Sequence, residues 1–199
     1  MSPDTRAPHA RGANVNAIAE ATGHAWDDWC RWLGEQGAAE RNHAGIAELA
    51  VSRLRGSNAA ASSNPEWWAQ AVTVAYEQHV GRRAPGQKND GSFDANASKT
   101  VAGDMDAALA RVREVFGSAT DEGTLNGVAL AEQPSTSATE KWRYWRVSLA
   151  DGTRVDVTVQ TKPGTQPPKS TVAVGHSRIG SAEAAAAWKS WWKTLLGTL

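Results

Sequence analysis

The chain has 199 residues, and its 21 Lys and Arg are balanced by 21 Asp and Glu, so the formal net charge at pH 7 is zero. That balance argues against a basic nucleic-acid-binding protein, and no apolar run approaches the ~18 residues of a membrane span. A lone cysteine, Cys30, excludes an internal disulfide, and the N-terminus MSPDTRAPHARG lacks a signal-peptide core; one large or two small cytoplasmic domains are expected.

Residues 1–13 are polar and read as a disordered N-terminus. Residues 14–81 have helical periodicity. A first helix sets Val15, Ile18 and Ala19 on one face and stops at Gly23. A second covers Ala25 to Gln36, where Trp26, Trp29 and Leu33 form a stripe that Trp32 widens; Asp27 and Asp28 suit its first turn, and Gly37 ends it. Asn42 is an N-cap for a third helix, with Ile46, Leu49 and Leu54 inward and Gly56 at its close. The segment SNAAASSN is a loop. Asn64, Pro65 and Glu66 then form a strong helix start. Trp68, Val72, Ala75 and Tyr76 share one face of this fourth helix, flanked by Trp67, Ala71 and Val74, so it is expected to be the central, most buried one, with Gly81 closing it. Residues 82–91 mix Gly, Pro and charge without period and read as a linker.

Residues 92–199 change period. FDANASKTV is a strand, and Asp104 opens a helix whose apolar face is Met105, Ala108, Leu109, Val112, Val115 and Phe116, with Gly117 as its stop. GVALAEQ is a short strand. KWRYWRVSLADGTRVDVTVQTK reads as a hairpin with a two-residue Asp151-Gly152 turn, and Val155, Val157 and Val159 form its buried row. In STVAVGHSRI, Val172, Val174 and His176 share a side, and parity adds Arg178. Ser181 caps a last helix with Ala184, Trp188, Trp191 and Leu195 inward and Trp192 at the border.

No metal-binding spacing, phosphate loop or GxSxG elbow is present, so no catalytic residue, metal ligand or cofactor is assigned. The candidate ligand-binding residues are Trp145, His176, Arg178 and Trp188, which alternation and helical period bring to one inner face. His176 has two readings: a polar handle for a ligand, or a core-edge histidine bonded to its neighbours. Arg178 is either an anion partner near the mouth or a solvated strand end. Glu77 is an interdomain tie or a base, Cys30 a small buried residue or a thiol, and Trp142 a stacking partner for Arg143 or Arg146.

SKTV at Ser98–Val101, WRVSLADGTRVDVTV from Trp145, KSTVAVGHSRI from Lys169 and the terminal AEAAAAWKSWWKTLL resemble the START-like, or SRPBCC, superfamily, in particular the bacterial branch homologous to activators of the heat-shock ATPase chaperone. The first half resembles a small helical domain found ahead of such modules. The resemblance implies an α+β chain: a small N-terminal helical bundle, then a helix-grip module, a curved antiparallel sheet packed on a long C-terminal helix. The stretch between Phe116 and Lys141 is short, which implies fewer strands than in the larger lipid-binding members. The implied function is non-catalytic binding of a protein partner, such as a chaperone ATPase, or of a small apolar ligand. The alternatives are a START-like hydrolase or cyclase acting on a small hydrophobic substrate, and a regulatory adaptor whose helical domain contacts DNA. An exposed basic helix face would favour DNA and an exposed apolar patch would favour protein.

Overall fold

The computed structural model describes residues 13–56 and 64–199. The expected disordered N-terminus and the SNAAASSN loop, apart from Ala13 and Asn64, lie outside the described residues. The chain divides into two compact units, one ending at Pro85 and the other starting at Gly86.

The helical unit contains α1 (Val15–Thr22), α2 (Trp26–Glu35), a short 3-10 turn (Ala38–Glu40), α3 (His43–Gly56) and α4 (Pro65–His79). The start signals act as written. Asn14, Asn42 and Asn64 each accept a backbone N–H of the following first turn, and Gly23 ends α1 in the left-handed conformation. The core is built from Trp29, Leu33, Ile46, Ala50, Val72 and Ala75, with Tyr76 closing one side. Thr22 accepts the Trp29 indole N–H at 3.0 Å, so the buried ring has its polar partner. Arg53 lies over both Trp29 and Trp32, 4.6 and 4.8 Å from the ring centroids. As expected, α4 is the most buried helix, but one flank differs: Trp67 is 58% exposed.

Residues 82–91, read as a linker, span the division between the units at Pro85 and Gly86. Arg82 donates to the carbonyls of Ala39 and Arg41, and Arg83 bonds the Glu77 carboxylate, so both arginines are anchored to the helical unit.

The sheet unit contains β1 (Phe93–Ala102), α5 (Met105–Ser118), the small hairpin β2 (Thr124–Leu125) and β3 (Val128–Ala129), β4 (Ser135–Ala138), β5 (Arg143–Ser148), β6 (Arg154–Thr161), β7 (Lys169–Ile179) and α6 (Ala182–Gly197). Five strands form one antiparallel sheet in the order β1-β7-β6-β5-β4. The valines of β6 and β7 alternate inward as expected and are fully or almost fully buried. Helix α6 lies against β1 and β7, and α5 against β5, β6 and β7. On the sheet's other side, Ala173 and Gly175 of β7 form the floor of an open depression of about 640 Å3, walled by Asn96, Ser98, Asp156 and Thr158.

Local expectations in this unit are corrected in three places: the β5–β6 loop, the end of α5 and the inner stripe of α6. The β5–β6 loop is not a two-residue turn: Leu149 N–H bonds Thr153 carbonyl across Ala150, Asp151 and Gly152, a three-residue loop with Gly152 at φ 85°. Helix α5 continues through Gly117 to Ser118. The GVALAEQ segment carries the expected short strand, β3, which is half of a hairpin turned by Asn126-Gly127, both at positive φ. Strand β4 has no apolar pattern and is exposed throughout. The inner stripe of α6 is Ala185, Trp188, Trp192 and Leu196; Trp191 and Leu195 are half-buried beside it.

Candidate functional site

The inner face of the sheet unit gathers three of the four predicted site residues. His176 projects from β7 and is completely buried. Its Nδ1 accepts the Trp192 indole N–H at 3.3 Å, so the single proton of the neutral ring sits on Nε2. That second nitrogen is buried and has no hydrogen-bond partner among the described residues. The ring stands edge-on to Trp188, with centroids 4.4 Å apart. Trp145 joins through Phe116, whose ring lies 5.3 Å from Trp145 and 5.6 Å from Trp192. Burial holds the His176 pKa down at about 4, against the weaker opposing pull of Asp151 and Asp94. The imidazole is therefore neutral at pH 7.

Arg178 does not belong to this group. Phe93 pairs with Ile179 and Ala95 with His176, so one residue of β1, Asp94, faces two of β7, Ser177 and Arg178, and a bulge intervenes. Arg178 occupies the bulge at φ 65° and is exposed, and Ile179 takes the buried place that simple alternation gives to Arg178. The pairing of His176 with Arg178 that a catalytic reading requires is absent.

The helical unit holds two further features. Glu77 is buried and its Oε2 serves both His43 Nδ1 and Arg83 Nη1 at 3.1 Å. His43 Nε2 lies 2.8 Å from Gln70 Oε1. These partners belong to the same unit as Glu77, and they tie the start of α3 to the end of α4. Sequence reasoning missed His43: it stands 34 positions from Glu77, with no local signal linking them. The second feature is an open groove of about 490 Å3 between α1 and α4, lined by Ala17, Ile18, Trp67, Trp68, Ala71 and Val74. The two indoles meet edge to face at 4.5 Å.

Cys30 is half-buried, and burial together with Asp27 raises its thiol to about 11. Arg146 stacks on Tyr144 at 4.2 Å, so the ring partner of that arginine is Tyr144, not Trp142. Among the described residues, no cluster of three His, Cys, Asp or Glu side chains is placed to hold a metal, and no helix is long and apolar enough to cross a membrane. Comparison with family models, characterised proteins and solved structures returned no match.

Proposed function

We propose that this chain is a non-catalytic interaction protein that binds a protein partner, with a START-like helix-grip module as its second unit. The observation that carries the reading is the filling of the space between sheet and helices. Phe116, Trp145, Trp188 and Trp192 occupy it in mutual ring contact, with Val155, Val157, Val172 and Val174 beneath them. A drug-sized ligand needs roughly 300 Å3 or more, which a carrier of the same fold would leave open. The enzymatic alternative lacks its polar pair, because Arg178 faces away from His176.

The helical unit adds a surface argument. Among the described residues its most exposed large apolar side chain is an indole, Trp67, beside an apolar groove. Exposed tryptophans are enriched where protein partners bind. The two arginines at the end of α3 are engaged, Arg53 on the indoles and Arg55 with Glu66, which disfavours a DNA-reading basic face. By the resemblance, a purified chaperone ATPase is the first partner to test.

The test has two arms. Fatty acids and apolar fluorescent probes are titrated against the protein and followed through tryptophan emission; no saturable, stoichiometric change is expected. Calorimetric titration with the chaperone ATPase is expected to give binding that Trp67→Ala weakens at least tenfold. Saturable lipid binding that His176→Ala weakens would replace this reading with a ligand-carrying one.

A further inference from the structure

We propose that His176 is a proton-operated latch for α6: adding a proton to its imidazole releases the helix from the sheet and uncovers the aromatic face beneath. The proposal goes beyond the interaction reading and does not depend on it.

The geometry supplies the mechanism. Among the described residues, two side-chain hydrogen bonds tie α6 to the strands: Trp192 Nε1–H to His176 Nδ1, and Lys99 Nζ to the Gly197 carbonyl at the helix end. The first lies in the middle of the helix, under full burial. It exists only while Nδ1 carries a lone pair. A proton placed on Nδ1 sets one N–H donor against another and creates a cation with no acceptor at either nitrogen among the described residues. Once α6 has moved away, water solvates both N–H groups.

The surrounding charges do not cancel this. Asp151, in the β5–β6 loop, and Asp94, on β1, act on the ring and favour its cation, but desolvation outweighs both. From α6, Glu183, Lys189 and Lys193 are exposed. From β6, Arg154 and Asp156 pair with each other. Lys99 of β1 is taken by Gly197, Arg111 of α5 by the Ala102 carbonyl, and Arg143 of β5 by Asp106.

The sign follows from linkage. The docked ring titrates at about 4 and a freed histidine at 6.5, so the released state binds the proton more tightly. Docking is at full strength above 6.5 and weakens as pH falls through 6.5, continuing to about 4. The docked-to-released ratio falls by at most tenfold per unit, and by roughly fifteenfold between pH 6.5 and 5, because the released ring is already half protonated at 6.5.

The experiment is amide hydrogen exchange on the full chain from pH 7 to 4.5, corrected for the intrinsic pH dependence of exchange. Amides of α6 are expected to lose protection roughly fifteenfold between pH 6.5 and 5, while β6 amides keep theirs. His176→Asn offers Trp192 a carboxamide oxygen that does not titrate, and it is expected to flatten the α6 profile. Loss of protection in α6 and β6 together, no loss in α6, or the same profile in His176→Asn would each overturn the latch. Should that variant fail to fold, the His176 imidazole resonances of the unaltered protein decide. Their titration together with α6 release supports the proposal, and α6 release without it overturns the proposal.

Discussion

The two units use their indoles in opposite ways. In the helical unit, Trp29 is fully buried, Trp26, Trp32 and Trp68 sit at the margin, and Trp67 faces solvent; small and aliphatic residues fill the middle. In the sheet unit, Trp145, Trp188 and Trp192 are themselves the middle. Their buried polar groups contrast as well. Glu77 shares its carboxylate between two cationic or polar partners, whereas His176 has one satisfied nitrogen and one orphan. A crossing of helices leaves room for aliphatic knobs, but the wider gap between a sheet and its covering helices is filled most economically by large rings. The first arrangement frees an indole for outside contact, and the second commits three indoles to the core.

The largest expected effect tests that contrast. Trp192→Ala should destabilise the sheet unit by about 3–5 kcal/mol, because it opens a cavity and strips His176 of its donor. Trp67→Ala should change stability by no more than about 0.5 kcal/mol. Urea denaturation of both variants gives the comparison; similar losses would erase the distinction between a structural and a surface indole.

A second measurement concerns reactivity in the helical unit. With its thiol raised to about 11 from 9.0, Cys30 should carry roughly a hundredfold less thiolate than an unperturbed cysteine at pH 8. Its alkylation should be correspondingly slow in the native protein and fast in urea. Native alkylation as fast as that of a free thiol would show that α2 opens readily, and the packing of this unit would have to be redrawn.

The smallest expected effect lies at the bulge. Arg178 sits in the left-handed region without a partner among the described residues. Arg178→Gly should therefore stabilise the sheet unit by about 0.5–1 kcal/mol, visible as a higher denaturation midpoint. A destabilised variant would mean that the guanidinium does structural work at the strand end.

These contrasts were unevenly legible in the sequence. Asn64-Pro65-Glu66 announces α4, and the alternating valines announce β6 and β7, because cap chemistry and a period of two are local properties. The phase of α6 was not legible. Its run of alanines, tryptophans and leucines is apolar on several sides, so stripes one residue apart fit equally well; the hydrogen bond to His176 selects the one containing Trp192. Simple parity failed at Arg178 because a bulge adds one residue without marking it in the sequence. Strand β4 is STSA, polar on both faces, and offers no period at all. The Asn126-Gly127 turn, by contrast, carries a local signal, because both residues tolerate the positive φ that a tight hairpin needs. The His176 cluster was visible as a row of inward positions; Phe116 and the missing second partner on Nε2 needed coordinates.

The depression on the outer side of the sheet has a practical consequence. A β-carbon added at Gly175 would meet Asn96 Oδ1 at 3.6 Å and the Asp156 carbonyl at 3.8 Å, ordinary contact distances. Alternation points it away from His176 and the aromatic face. Gly175 is thus an addressable position in the longest strand: a cysteine there would accept a spectroscopic label, and a threonine would raise strand propensity. Either change edits one surface of the sheet and leaves the opposite one untouched.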